Sequence, residues 1–232
     1  MAICHVLRIE RIHYQPALDL QLRIVERIKE TETPDAVLLL LEHDPVITLG
    51  RSGRDEHLLA AADDLARRGI ELHRSSRGGD ITYHGPGQIV GYPILRLAGP
   101  RRDVHRYLRS LEGILIAALS RFAIHGQRAA GLTGVWVGEA KVAAIGVALS
   151  RWITYHGFAL NVTTDLDAFS LIVPCGIHNR PVTSMEKLLG RPPARREVED
   201  ALVENFAREF QFDAVRECER AEDLPESVIH KP

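Results

Sequence analysis

The chain has few cysteines, and their placement excludes the usual cysteine-based scaffolds. Its 232 residues contain three, Cys4, Cys175 and Cys218, and no CxxC pair. An odd number at such wide spacing argues against a disulfide framework and against a cysteine-rich zinc site. We therefore expect no metal, and a reducing environment, most simply the cytoplasm.

Long apolar runs are also missing. No stretch approaches the roughly 20 apolar residues that a membrane helix needs, and the N-terminus lacks the basic and apolar regions of a signal peptide. The 29 basic and 31 acidic residues are interspersed and leave a net charge of −2. The composition favours a soluble protein that binds neither a membrane nor nucleic acid.

Four widespread functional motifs are absent. The sequence contains no GxxxxGK[ST], GxGxxG, HExxH or GxSxG. Nucleotide hydrolysis, dinucleotide redox chemistry, zinc proteolysis and serine hydrolysis therefore each lack their usual signal. We expect no cofactor, and covalent chemistry at a cysteine remains open.

The length fits one domain, residues 1–232, with a large buried core. The chain shows no repeat and no low-complexity linker, and the tail from Arg220 reads as loosely attached. Strands and helices alternate early in the sequence, whereas hairpins dominate the middle. This order predicts a mixed α/β or α+β sheet with flanking helices.

Hydrophobic periodicity locates the main elements. Strands are predicted at residues 3–9, 36–41, 46–49, 70–73, 89–97, 135–137, 141–149 and 152–162. A first helix has its apolar face at Leu18, Leu22, Val25 and Ile28, and a second covers residues 55–68. A third begins at the possible N-cap Asp103, a capping box starts at Thr183, and a last helix buries Val198, Ala201, Leu202, Phe206 and Phe210.

Two short segments carry the residue types of a site. The first is a glycine-rich stretch, residues 77–88, which lets backbone approach a ligand closely. The second is Pro174-Cys175-Gly176-Ile177, where chain-bending residues flank a thiol. Cys175 is either a nucleophile on a loop or a small buried apolar residue, as many free cysteines are.

A reactive thiol needs a neighbouring cation or base. His84, His156, His178 and Lys141 are the candidates. Lys141 stands at the start of an otherwise apolar strand, so it either lies beside the thiol or points to water after the preceding turn. Each histidine is equally compatible with a structural hydrogen bond near a strand end.

Several strings of residues, in one order and spacing, closely resemble the lipoyl(octanoyl) transferases across roughly residues 37–190. They are Arg77-Gly78-Gly79, Thr82-Tyr83-His84-Gly85-Pro86-Gly87-Gln88, Gly134-Val135-Trp136-Val137, Lys141 with Ala144-Ile145-Gly146-Val147, His156-Gly157-Phe158-Ala159-Leu160-Asn161-Val162, and Ile172-Val173-Pro174-Cys175-Gly176-Ile177. A series of unusual strings is far more specific than one glycine motif.

The resemblance implies the fold of the biotin and lipoate protein ligase catalytic domains. It also implies octanoyl transfer from acyl carrier protein to a lysine of lipoyl domains, as found in 2-oxoacid dehydrogenase complexes and the glycine cleavage H protein. It makes Cys175 the acyl-thioester nucleophile and Lys141 its partner. The residues that it assigns to the acyl-substrate pocket are Arg77, Gly78, Gly79, Asp80, Ile81, Thr82, Tyr83, His84, Ala144, Ile145, Gly146, Gly157, Phe158 and Ala159.

The chemistry agrees with this implication. Exchange of one thioester for another changes the free energy little, and attack by an amine then gives a stable amide, so no ATP is needed. An eight-carbon chain fits an apolar tunnel, for which the candidate walls are Ala143, Ala144, Ile145, Phe158, Ala159 and Leu160. Ordinary core packing accounts for any one of these residues equally well.

Two other functions stay open from the residues alone. An ATP-dependent lipoate or biotin ligase shares the fold and needs no cysteine nucleophile. A non-catalytic module that binds a carrier protein would keep the pocket, with Cys175 as a packing residue. Acyl carrier proteins are typically acidic, and the arginines that either form a docking surface or remain solvated are Arg51, Arg54, Arg74, Arg101, Arg102 and Arg180.

Overall fold

The sequence Ala-Val-Leu-Leu-Leu-Leu in strand β2 (Ala36–His43) is buried on both faces. Such a run requires a layer of structure on each side of its sheet. The computed structural model, which describes residues 1–174 and 180–230, supplies both layers. Leu38 and Leu40 pack into a core with two helices, whereas Val37, Leu39 and Leu41 pack into a second core with another helix.

The main sheet has eight strands in the order β11-β1-β2-β6-β10-β9-β8-β7. Strand β1 is parallel to β2 and β11, and the other neighbours are antiparallel. The strands other than β2 are β1 (Ile3–Ile12), β6 (Gln88–Ile94), β7 (Gln127–Ala129), β8 (Leu132–Val137), β9 (Ala140–Ser150), β10 (Ile153–Asn161) and β11 (Ala214–Cys218). The expected mixed sheet with flanking helices is confirmed.

Helix α1 (Tyr14–Thr31) covers one face of the sheet. The predicted apolar stripe was partly wrong, because Leu22 is 39% exposed and Leu18 only half-buried. The buried face instead runs through Ala17, Ile24 and Ile28. Two apolar stripes compete in this helix, and the one that meets β6 and β10 is buried.

Helices α3 (Val104–Ser120) and α5 (Arg195–Phe210) cover the other face. As predicted, Asp103 caps α3, where its side chain accepts a hydrogen bond from the Arg106 N–H. The predicted apolar residues of α5 are all buried. Arg101 donates to the Phe210 carbonyl at the C-terminal end of α5, where a cation complements the helix dipole.

A second sheet of three strands, in the order β4-β3-β5, stands beside the first. Its strands are β3 (Val46–Leu49), β4 (Glu71–Arg74) and β5 (Ile81–His84). The helix predicted over residues 55–68 was wrong in extent. That segment forms a 3₁₀ turn, Asp55–His57, a bridge from Leu58 to Ile172, and a short helix α2 (Ala62–Arg67).

The C-terminal part departs from two further predictions. Helix α4 (Met185–Leu189) is capped by the Ser184 side chain, which accepts from the Lys187 N–H, and not by Thr183. The segment from Arg220 is not loose over its described part, because Leu224, Val228 and Ile229 are buried against the α1 face. Across residues 1–174 and 180–230, no helix combines the length and apolar character needed to span a membrane.

Candidate active site

A cavity lies among the start of α1, the loop before β5, and strands β5, β6, β9 and β10. It is narrow, because the centre of a water molecule has only about 50 Å³ in which to move. Its walls are Tyr14, Arg77, Gly79, Asp80, Thr82, His84, Val90, Tyr92, Ala144, Ile145, Gly146, His156, Gly157, Phe158 and Ala159. The structure therefore brings together eleven of the fourteen residues expected at an acyl pocket.

The other three expected residues face elsewhere. Alternation along β5 turns Thr82 and His84 toward the cavity, while Ile81 and Tyr83 pack into the core of the small sheet. The Gly78 backbone N–H donates to the Val147 carbonyl and anchors the loop to β9.

Two glycines allow the loop over residues 77–80 to lie so close to the sheets. A Cβ at Gly50 would come within 2.3 Å of the Gly79 carbonyl oxygen. A Cβ at Gly146 would come within 2.8 Å of the Gly78 carbonyl oxygen. Only glycine fits on both sides of this loop, so its backbone forms part of the cavity wall.

Arg77 is a buried cation with a fixed orientation. Its Nε and Nη2 donate to Thr48 Oγ1 at 3.1 and 2.8 Å, and Nη2 also donates to the Thr48 carbonyl at 2.6 Å. Its Nη1 donates to the Gly78 carbonyl. The guanidinium is therefore held by the small sheet and its own loop, and its charge reaches the surrounding histidines.

Three buried histidines lie in or beside the cavity, and their environment keeps them neutral. Burial, followed by the charges of its neighbours, lowers the pKa of His84 to about 3. Burial and then Arg77 lower the pKa of His156 to about 3. Burial lowers the pKa of His43 to about 4. All three imidazoles are therefore uncharged at neutral pH, and they serve as hydrogen-bonding groups.

Hydrogen bonds set the tautomers of two of these rings. The His43 Nδ1–H donates to the Ile12 carbonyl, so His43 Nε2 accepts from the Tyr92 hydroxyl at 2.7 Å. The His84 Nδ1–H donates to Gln88 Oε1 at 2.7 Å, which leaves its lone pair on Nε2. His156 is unusual, because its φ of 55° turns its backbone N–H to Gln21 Oε1 of α1.

The hydrogen bonds continue from the cavity toward the segment that follows Cys175. Gln88 Nε2 donates to Asn161 Oδ1 at 2.9 Å, and Asn161 Nδ2 donates to the Thr183 carbonyl at 3.0 Å. The Lys141 backbone N–H donates to the Pro181 carbonyl, and the Lys141 carbonyl accepts from the Thr183 N–H. The polar side chains at the ends of β6 and β10 thus hold the chain that returns to β9.

Lys141 is buried and does not point to open water. Its side chain is 7% exposed, and its Nζ lies 4.8 Å from the centre of the Trp136 ring, the residue opposite it on β8. Arg180 lies 5.1 Å from the same ring and pairs with Glu139. Such cation–π contacts stabilise a desolvated cation by roughly 0.5 to 2 kcal/mol.

A smaller pocket, lined by Lys141, lies beside the main cavity. Its lining residues are Thr82, Gln88, Lys141, Ala144, Ala159, Asn161, Phe169, Pro174 and Val182. It shares Thr82, Ala144 and Ala159 with the main cavity. Pro174, the residue before Cys175, therefore faces the same space as Lys141, although Cys175 and His178 themselves lie outside the described residues.

Three cavity residues escaped sequence reasoning. Tyr14 begins α1, and Val90 and Tyr92 lie on β6. Alternation along β6 carried the only available signal, because Val90 and Tyr92 share a face. Nothing local to Tyr14 distinguishes it from an ordinary first residue of a helix.

The sequence matches the family model described as the lipoyl protein ligase A/B catalytic domain over residues 13–207. This match covers most of the chain, and the chain belongs to that family. Curated relatives are named octanoyltransferase. The relative from Solibacter usitatus is 52% identical, covering 92% of this chain and 96% of its own, and that from Koribacter versatilis is 48% identical over 89% and 84%. The protein is an acyltransferase of this family.

Solved structures support the fold. A bipartite archaeal lipoate protein ligase from Thermoplasma acidophilum has a TM-score of 0.75 at 20% identity, covering 95% of this chain and 89% of its own. Lipoate-protein ligase A bound with ATP has a TM-score of 0.73 at 19% identity, covering 93% and 88%. The biotin protein ligase from Aquifex aeolicus with biotin and ATP has a TM-score of 0.54 at 15% identity, covering 89% and 70%. At these identities the likeness establishes the shared architecture.

Proposed function

We propose that the chain transfers an octanoyl group from octanoyl-acyl carrier protein to Cys175, and then to a lysine of a lipoyl domain. The observation that carries the proposal is the pocket shared by Lys141 and Pro174. A buried amine faces the space into which the chain bearing the thiol enters. That space adjoins a small cavity whose apolar wall residues suit a single acyl chain.

The first step exchanges one thioester for another. The Cys175 thiolate attacks the carbonyl carbon, the carbon–sulfur bond to Cys175 forms, and the bond to the carrier thiol breaks. The Lys141 ammonium stabilises the thiolate and gives a proton to the leaving carrier thiolate. Proton transfers of this kind contribute typically 10²–10⁴ in rate.

The second step forms the amide. The amine of the lipoyl-domain lysine attacks the acyl carbonyl, the carbon–nitrogen bond forms, and the bond to Cys175 breaks. The amine of Lys141, now neutral, accepts the proton that the incoming nitrogen loses. The cycle thus restores the ammonium and the thiolate.

The cavity supplies the acyl site. Ala144, Ile145, Phe158 and Ala159 line it, whereas Ala143 and Leu160 belong to the core on the other face of the sheet. Each buried methylene of an acyl chain contributes about 0.8 kcal/mol, so an eight-carbon chain gains several kcal/mol. The residues at positions 77–80 close this site with their backbone.

The acceptors that fit this function are the lipoyl domains of 2-oxoacid dehydrogenase complexes and the glycine cleavage H protein, in the cytoplasm. The six arginines that could dock an acidic carrier form two groups. Arg51 and Arg54 follow β3, Arg74 pairs with Asp55, and Arg180 lies with Lys141 at the Trp136 ring. Arg101 and Arg102 instead lie past the C-terminal end of β6. We assign docking to the cavity side, where added salt should weaken binding.

The test is intact-protein mass after incubation with octanoyl-acyl carrier protein and no ATP. We expect an octanoyl adduct on the wild-type protein, none on Cys175→Ala, and movement of the group to an apo lipoyl domain added afterward. Modification that requires ATP and free octanoic acid would instead establish the ligase function. Tight carrier binding without any adduct, with Cys175 inert to a thiol reagent, would establish a binding module.

A further inference from the structure

The segment that leads into Cys175 lies against the turn after Arg54. The Val173 backbone N–H donates to the His57 carbonyl at 2.8 Å. Ile172 pairs with Leu58 in an antiparallel bridge. The Leu171 carbonyl accepts from the next two N–H groups of the same turn at 2.9 and 3.1 Å. The position of residues 171–173 therefore follows that of residues 57–60.

The side chain of His57 ties this turn to the cavity wall. Its Nδ1 lies 2.5 Å from Asp80 Oδ2. Asp80 Oδ1 accepts from the Arg54 and Ile81 N–H groups at 3.2 and 2.7 Å. Asp80 also lines the cavity, at the end of its glycine-rich loop. One carboxylate thus joins the loop that closes the cavity to the turn that holds the chain before Cys175.

Burial separates this pair from the exposed pair of His230 and Glu30. The His57 and Asp80 side chains are 12% and 11% exposed, whereas those of His230 and Glu30 are 59% and 54% exposed. Exposed pairs stabilise little. A hydrogen bond shielded from water at this position fixes the orientation of the imidazole and, through its backbone, of residues 57–60.

We propose that His57 and Asp80 are positioning residues of the acyl transfer, whose hydrogen bond holds the chain entering Cys175 in register with the acyl cavity. The proposal rests on the proposed function above. The requirement is geometric, because misplacing reacting groups by about 1 Å can cost 10²-fold in rate. The N–H donor on His57 is the feature that matters, and a basic nitrogen is not required.

Three variants test the proposal. His57→Phe keeps a ring and removes the donor. His57→Asn places an amide N–H near the position of Nδ1 and has no titratable nitrogen. His230→Asn is the matched control at an exposed histidine–carboxylate pair. Acylation by octanoyl-acyl carrier protein is followed by intact mass in single turnovers, as a function of carrier concentration, with thermal unfolding alongside.

We expect His57→Phe to lose 10- to 100-fold in the maximal acylation rate, with a half-saturating carrier concentration within about threefold of wild type. His57→Asn should recover to within about threefold, and His230→Asn should match wild type. Should His57→Phe not fold, Asp80→Ala takes its place with the same expected loss.

Two outcomes would overturn the proposal. A folded His57→Phe protein that acylates at the wild-type rate shows that the hydrogen bond does not position the nucleophile. A folded His57→Asn protein as slow as His57→Phe shows that an N–H donor is insufficient and that the imidazole itself acts. If the wild-type protein forms no adduct, the proposed function fails first, and the positioning role fails with it.

Discussion

The main cavity (the Arg77 half of the site) and the smaller pocket beside it (the Lys141 half) are each lined by a buried cation, and the two cations are held differently. Arg77 is fixed by Thr48 and by its own loop, through four hydrogen bonds. Lys141 lies over the Trp136 ring, beside the pocket that Pro174 enters. A guanidinium keeps its proton in proteins, whereas an ammonium can give its proton up. In the proposed function, one half supplies fixed charge and the other supplies proton transfer.

Replacing Lys141 with arginine is the most direct test of this difference between the two cations. We expect Lys141→Arg to lose transfer activity nearly as completely as Lys141→Met, by at least about 100-fold, because a guanidinium cannot accept the proton of the incoming amine. The measurement is single-turnover transfer to an apo lipoyl domain. Arg180→Lys, beside the same Trp136 ring, is the control. A Lys141→Arg protein within about tenfold of wild type would show that charge alone suffices.

The buried histidines of the Arg77 half predict how the stability of the protein depends on pH. The folded pKa of His84 is about 3, far below its ordinary value of 6.5, so between these pH values the unfolded chain binds a proton that the folded chain does not. Stability contributed by the neutral ring is therefore complete above about pH 6.5, and it declines as pH falls toward 3. The expected loss is about 1.4 kcal/mol for each pH unit and histidine.

Denaturant unfolding at pH 7.5, 6 and 5 measures this loss. His84→Gln should reduce the decline between pH 6 and 5 relative to wild type, since it removes one of the groups that titrates. The same substitution at His230, which is exposed, is the control. Equal declines in wild type and His84→Gln would contradict the neutral, buried state of His84.

The sequence predicted the elements that carry their own signal. The predicted bounds of β3 and the predicted buried face of α5 are correct, because each segment has a single apolar pattern. The apolar face of α1 was partly wrong, because Leu18 and Leu22 form one plausible stripe and Ala17, Ile24 and Ile28 form another. Only the position of the helix over β6 and β10 decides between them, and that is a tertiary property.

The same distinction applies to the site. Arg77, Lys141 and Ala144 were predicted from strings of residues that resemble the family. Tyr14 was not predicted, because it stands at the start of a helix more than 60 residues before Arg77 in the chain. His57 was also missed, because its partner Asp80 stands 23 residues later and no spacing rule links them. Long-range pairs of this kind appear only once the two sheets are packed together.

The fixing of Arg77 gives a third, smaller test. Thr48 is fully buried, and its hydroxyl accepts two of the arginine N–H groups. Thr48→Val keeps the shape and the backbone carbonyl but removes the hydroxyl that accepts from Arg77 Nε and Nη2, so we expect the free energy of unfolding to fall by about 1 to 3 kcal/mol. Thr48→Ser, which keeps the hydroxyl, should lower the free energy of unfolding by less than about 1 kcal/mol. A loss in Thr48→Val no larger than in Thr48→Ser would remove the anchoring role.

The smallest expected effect concerns the junction of the two halves. Ala144 and Ala159 face each other across β9 and β10 and are common to both pockets. In the proposed function the acyl chain reaches from the Lys141 side to the Arg77 side past these two residues, and Ala144→Val would narrow the space between them. We expect Ala144→Val to shift the preferred chain from eight carbons to shorter ones. Each excluded methylene weakens binding by about 0.8 kcal/mol, or about fourfold.

Competition among carrier-bound hexanoyl, octanoyl and decanoyl groups, read by the mass of the acylated enzyme, measures this shift. Ala129→Val on the edge strand β7 is the control, since it adds the same methyl groups away from the cavity. An unchanged preference in Ala144→Val would mean that the acyl chain does not cross the junction and ends on the Lys141 side. In that case the neutral histidines and Arg77 would face a different part of the substrate. The main cavity and the smaller pocket would then bind two separate groups.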